Sequence, residues 1–300
     1  SFDHNLGNVW KDNLHYDAKT NDMFGNVNGA SQIPLNWWYV RSHNDGNLHP
    51  IDITSKEKLS AHLIKLLSGI INQSDIFVTL NVPNIDHSFA NITQPSLINI
   101  DVSNYVNSQT VSMHGLFENT ENIILTNLDT WDTSNVRDFS NMFSGAKDLN
   151  HDISEWDVSN GTHMNHMFYK AEAFNQPLNW DTSNVTDMSH MFDGALIFNQ
   201  RLNSSGSHWN TGLVTNMSYM FSNTNEFDNN GFSLDFNTEL VTNMSHMFGN
   251  TIVFNQDISE FNTSLVANMS YMFYNAETFN QPLNWAVSYT HLTLPTTGVV

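Results

Sequence analysis

The sequence predicts an α/β repeat: a leucine-rich-repeat-like solenoid of about seven 24–29-residue coils, each a short helical segment plus a short strand, with an N-terminal helix/strand cap. Three observations predict it. A Met-Phe pair recurs at Met142-Phe143, Met167-Phe168, Met191-Phe192, Met220-Phe221, Met247-Phe248 and Met272-Phe273, with Leu116-Phe117 as a weaker copy. The intervals between the phenylalanines are 26, 25, 24, 29, 27 and 25 residues, a period at which each unit cannot bury its own apolar face and must stack on its neighbours. Around each pair the apolar positions keep one arrangement, and all variation in length falls in a single stretch.

Residues 1 to 54 have no assignable structure, although Met23-Phe24 followed by Pro34-Leu35-Asn36-Trp37 echoes Met167-Phe168 followed by Pro177-Leu178-Asn179-Trp180 and suggests a degenerate further coil. Residues 55 to 108 are expected to cap the repeats. Thr54-Ser55-Lys56-Glu57 is a capping box, and Leu59, Leu63, Leu66, Leu67 and Ile70 continue as a helical stripe. Residues 76–80 and 98–106 read as strands by β-branched content and partial alternation.

Residues 109 to 285 are the repeats. Val185, Met188, Phe192 and Ala195 run i, i+3, i+7, i+10, which predicts a short helical segment, and Asn184 with Asp187 makes a capping-box-like start. Phe174, Leu178 and Trp180 share one face of a period-two stretch, which predicts the strand. Phe143, Phe168, Phe192, Phe221, Phe248 and Phe273 are the expected core, joined by Trp156 and Trp180 of a closing aromatic column. The longest insertions, 203–208 and 228–231, have the Gly, Ser and Asn content of exposed turns. Asn203, Ser204, Ser205, Ser207, His208, Asp228, Asn229 and Asn230 are therefore the candidate ligand-binding residues. Residues 286 to 300, AVSYTHLTLPTTGVV, break the period and read as a non-native tail of a truncated sequence, and Ser1 in place of an initiator Met implies a missing start.

Composition excludes several classes of function. Leu, Ile, Val and Phe number 79 of 300 residues, enough apolar material to fold. Lys and Arg number 10 against 30 Asp and Glu, and neither basic residue occurs after position 201, so a nucleic-acid or anionic-membrane partner is not expected. No apolar run reaches the ~18 residues of a membrane span. The absence of Cys removes disulfides, thiol catalysis and Cys-ligated zinc. The 44 Asn residues point to an uncharged polar surface of Asx turns.

Two columns invite a metal. Asp132, Asp157 and Asp181 occur one per unit, but Asn210, Asn237 and Asn262 replace them later, as expected where a hydrogen-bond acceptor rather than a charge is required. His163, His166 and His190 have zinc-like chemistry, but Tyr219, His246 and Tyr271 share the column of His166 and His190. No metal or other cofactor is expected. No phosphate loop, nucleophile elbow or carboxylate pair stands out, so no catalytic residue is assigned.

Trp180 to Gln200, WDTSNVTDMSHMFDGALIFNQ, and Trp131 to Ala146, WDTSNVRDFSNMFSGA, resemble the repeat of the BspA-like leucine-rich-repeat surface proteins over residues 109–285, and Ser55-Lys56-Glu57 matches the helix start that commonly precedes those repeats. The resemblance implies a secreted or surface-anchored protein with a non-catalytic role in recognition or adhesion, binding an extracellular protein or glycan through one face. It supplies neither a ligand nor catalytic residues. The alternative is a passive stalk whose repeats provide length. Ice binding ranks last, because no Thr-x-Thr column recurs on the expected strand.

Overall fold

The computed structural model describes residues 40–41, 48–49, 51–53, 78–80, 85–102, 106, 108–202, 209–283 and 285. The expected cap helix over residues 54–71, the insertion at 203–208 and the tail at 286–300 lie outside them. The chain divides into two compact units, Ser1–Val82 and Pro83–Val300.

In the first unit, β1 (Val40–Arg41) pairs antiparallel with β2 (Leu48–His49), and β3 (Ile51–Ile53) pairs in parallel with β4 (Val78–Leu80). In the second, β5 (Thr93–Asp101) pairs in parallel with β6 (Glu121–Thr126). The register shifts between Thr93 and Ile98, a stretch that contains Pro95, which has no N–H to give to a ladder.

The repeats correct the expected α/β solenoid of helical segments and strands. Among the described residues from 108 onward there is no α-helix; β6 and two single-turn 3-10 helices, Leu128–Thr130 and Asn229–Gly231, are the only regular elements. The segment read as helical is a run of turns. An α-helix sends each N–H to the carbonyl four residues back, whereas here the donors split two ways. Val185, Met191, Asp193 and Ala195 donate to carbonyls three residues back, while Met188, His190, Phe192 and Gly194 donate to Asn216, Ser218, Met220 and Ser222 of the next repeat. Two left-handed residues per unit exclude a continuous helix: His190 and Gly194 have φ of 55° and 76°, and Tyr219 and Asn223 repeat the pattern at 59° and 57°. Gly194 also lies close to its neighbour, since an added Cβ would stand 3.1 Å from Lys170 Cγ.

The expected strand is absent as well. The N–H of Asn175 donates to Asn150 Oδ1 at 3.0 Å, and Gln176 Nε2 donates to the carbonyl of Asn150 at 3.1 Å. Side-chain amides therefore take the place of a backbone ladder, and the same bonds recur from Asn199 and Gln200 to Asn175. Backbone pairing shrinks to a parallel column one residue wide, Ser112, Asp138, His163, Asp187, Asn216, Asn243 and Asn268.

These bonds hold successive units in register around an aromatic interior. Phe117, Phe143, Phe168, Phe192, Phe221, Phe248 and Phe273 form a file with centroids 5.5 to 5.8 Å apart and nearly parallel planes. A second file, Phe174, Phe198, Phe227, Phe254 and Phe279, runs beside it at 5.8 to 6.1 Å. Phe143, Phe168, Phe192, Phe221 and Phe248 are fully buried, and Phe273 is half-buried. Trp156 and Trp180 are buried, and each indole N–H is satisfied by a carbonyl of the preceding unit, Leu128 at 2.8 Å and Ile153 at 3.0 Å. The stack reaches below Gln109: Phe89 N–H donates to Leu116, and its ring lies 4.8 Å from Phe117. That unit lacks a Met-Phe pair, so the repeat motif did not reveal it.

Candidate functional site

The candidates from the insertions divide in the structure. Asn203, Ser204, Ser205, Ser207 and His208 lie outside the described residues. Asp228 and Asn229 are engaged by the fold. Asp228 Oδ1 accepts the N–H of Asn255 at 2.9 Å and its Oδ2 accepts Gln256 Nε2 at 2.8 Å. Asn229 is fully buried; its Oδ1 accepts the N–H of Leu202 at 2.7 Å, and its Nδ2 donates to the carbonyls of Phe232 and Ser233 at 2.9 and 3.0 Å. Asn230 is exposed, with its N–H donating to Asn199 Oδ1.

The Asp column forms Asx turns. Oδ1 of Asp132, Asp157 and Asp181 accepts the N–H of Ser134, Ser159 and Ser183 at 3.2, 3.0 and 3.0 Å, and Asn210, Asn237 and Asn262 do the same for Gly212, Glu239 and Ser264. Amide and carboxylate are interchangeable there because the acceptor is the side-chain oxygen. The same turn at Asp152 and Asp257 holds their carboxyls below the usual value, through the N–H of Ser154 and Ser259.

The outward column two residues before the core Phe, expected from the sequence to be exposed amphipathic positions, sits at a left-handed residue of each unit. His166, His190, Tyr219, His246 and Tyr271 stack face to face at 4.4, 4.4, 4.3 and 4.9 Å. The inter-unit bonds from the N–H groups of His166, His190, Tyr219 and His246 hold these rings in line, and the period alone does not show it. With faces covered, the rings present their edges. Parallel stacking sets the His166 and His190 nitrogens side by side rather than convergent, while His163 is exposed and hydrogen-bonds Thr162. Among the described residues, no group of three or more His, Asp or Glu is placed to hold a metal ion.

The column has a pH signature. Burial, with the neighbouring His190 charge, pushes the His166 pKa down, and burial does the same at His246, against opposing pulls from Asp193 and, at His166, Asp187. His190 Nδ1 lies 2.9 Å from Asp193 Oδ2. A lowered folded-state pKa means that the unfolded chain binds more protons, so this contribution is complete above ~6.5 and is lost as pH falls through the folded values. The melting temperature should fall between about pH 7 and pH 5. His166→Asn, which copies Asn141 at the same left-handed position, should flatten that slope in a thermal series; an unchanged slope would remove His166 from the account.

Among the described residues no helix is long and apolar enough to cross a membrane. The family model described as "Mycoplasma protein of unknown function, DUF285" matches residues 83–205 and 202–293. No curated protein and no solved structure matches the chain.

Proposed function

This chain belongs to the DUF285 family, and from that premise and its outward columns we propose that it is a non-catalytic recognition or adhesion module. Its partner is an extracellular protein or glycan, met through one face of the stacked repeats at the cell surface. The resemblance of its repeats to those of the BspA-like surface proteins supports the same reading, and no residue has a catalytic role in it.

One observation carries the proposal: inward columns keep apolar or small side chains from unit to unit while outward columns change chemistry. Eight residues before the core Phe, Asn135, Asn160 and Asn184 give way to exposed Leu213, Leu240 and Leu265. Two residues before it, Gly115 and Asn141 give way to the His/Tyr stack. A stalk needs only the inward columns, and a recognition face needs the outward ones to differ.

The test is saturable binding of the full chain to surfaces coated with extracellular-matrix proteins or glycans. Binding should be lost on combining His190→Asn, Tyr219→Asn and His246→Asn with the melting curve preserved. No saturable binding, or binding indifferent to every outward substitution, would leave the stalk as the better account.

A further inference from the structure

The column eight residues before the core Phe changes from serving the fold to being available to a partner. Nδ2 of Asn135, Asn160 and Asn184 donates to the carbonyls of Ser108, Ser134 and Ser159 in the preceding unit at 3.0, 2.7 and 2.7 Å. In the next three units the column holds Leu213, Leu240 and Leu265, 46%, 43% and 54% exposed. Leucine has no donor, so the matching carbonyls of Ser183, Gly212 and Glu239 cannot receive that bond. Three large aliphatic side chains therefore stand in file on the surface, beside backbone acceptors that the motif no longer caps. Rung spacing in a parallel pairing, ~5 Å, makes the stripe about 10 Å long. Apolar side chains that line up outside a core mark an interaction surface more often than isolated ones do.

The stripe adjoins a cleft of about 430 Å³ whose wall includes Asp181, Trp209, Asn210, Asp235 and Asn237. Thr211, which also lines it, is two residues from Leu213, and Asn237 is three from Leu240. Asp181 and Asp235, from two different units, thus line a cleft whose wall has no basic residue among the described residues. From Trp209 to Trp285 the chain has seven Asp and Glu and no Lys or Arg. The charge and hydrogen-bonding character of the partner follow by complementarity: cationic, donor-rich, and apolar at intervals.

We propose that this face binds an extended polypeptide segment in which Arg or Lys alternates with aliphatic residues. The aliphatic side chains lie along Leu213, Leu240 and Leu265, and one cationic side chain enters the cleft between Asp181 and Asp235. An Arg guanidinium fits better than an ammonium, because its planar fork can donate to a carboxylate and a side-chain amide oxygen together. The inference rests on the recognition role proposed above and names the chemistry of its partner.

Fluorescence anisotropy with the full chain tests it, using labelled hexapeptides of alternating Arg and Leu, Arg and Ser, or Glu and Leu. The salt should be about 0.15 M, so that charges beyond ~8 Å are screened. The Arg-Leu peptide should bind at least about tenfold more tightly than the Arg-Ser peptide, and the Glu-Leu peptide should not bind. Leu213→Ser combined with Leu240→Ser, and separately Asp235→Asn, should each weaken Arg-Leu binding about tenfold with the melting curve unchanged. Equal binding of the Arg-Leu and Arg-Ser peptides would reduce the effect to diffuse attraction by a chain of net charge −20 and overturn the proposal. Binding indifferent to both variants would overturn it too. Should glycan or matrix binding persist while the peptide experiment fails, the recognition role stands and this partner is wrong.

Discussion

Replacing Phe192 by alanine should destabilise the repeats by about 3–5 kcal/mol, the range for removing a buried aromatic ring. The ring is fully buried, stacks on Phe168 at 5.5 Å and on Phe221 at 5.7 Å, and lies 4.1 Å from Phe198. Little can collapse into the cavity, because the turns on either side are tied by rung bonds: Phe168 N–H to Met191, and Phe192 N–H to Met220. The effect should therefore spread. Each unit contacts only its neighbours, so the units of Phe168 and Phe221 should lose hydrogen-exchange protection along with that of Phe192. Denaturant unfolding read together with exchange checks this, since a repeat array need not unfold in one step. A loss under ~1 kcal/mol, well below the typical cost of removing a core ring, would mean that the stack is not the source of stability.

Asn229→Ala should be the most damaging polar substitution, at about 3 kcal/mol. The buried amide ties the 228–231 insertion and the two residues after it to the preceding unit, and its loss leaves the N–H of Leu202 and the carbonyls of Phe232 and Ser233 without it. Each group stripped of its partner costs about 1–3 kcal/mol, partly recovered where water can reach the half-exposed carbonyls. Asn229 also has a φ of 49°, a left-handed conformation that costs alanine about 1–2 kcal/mol. Asn229→Gly separates the two effects, because glycine keeps the backbone and lacks the amide. Chemical denaturation of both variants should find glycine the milder yet still clearly destabilised. A glycine variant as stable as the parent would show that the amide bonds contribute nothing.

The sequence by itself determined the repeat, its period, and which residues form each column. Met188, Met191, Phe192 and Ala195 recur at fixed separations because every unit must present the same apolar surface to two neighbours, and that demand is visible without coordinates. The Asx turns at Asp132 and Asn210 were legible for the same local reason, since a side-chain oxygen two residues from its donor needs no tertiary context. Only the tertiary structure decided that the units are built of turns. A chain of three-residue turns and a short helix bury nearly the same stripe, so the spacing of Val185, Met188 and Phe192 cannot separate them. The difference lies in where the N–H groups of Met188, His190 and Phe192 go, and those acceptors are 28 residues away in the next unit. The same long-range bonding drew Asp228 and Asn229 into the fold and lined up His190 with Tyr219. Local sequence carries the preference of a residue for inside or outside, but the partner of a backbone donor is settled only when a second unit arrives beside it.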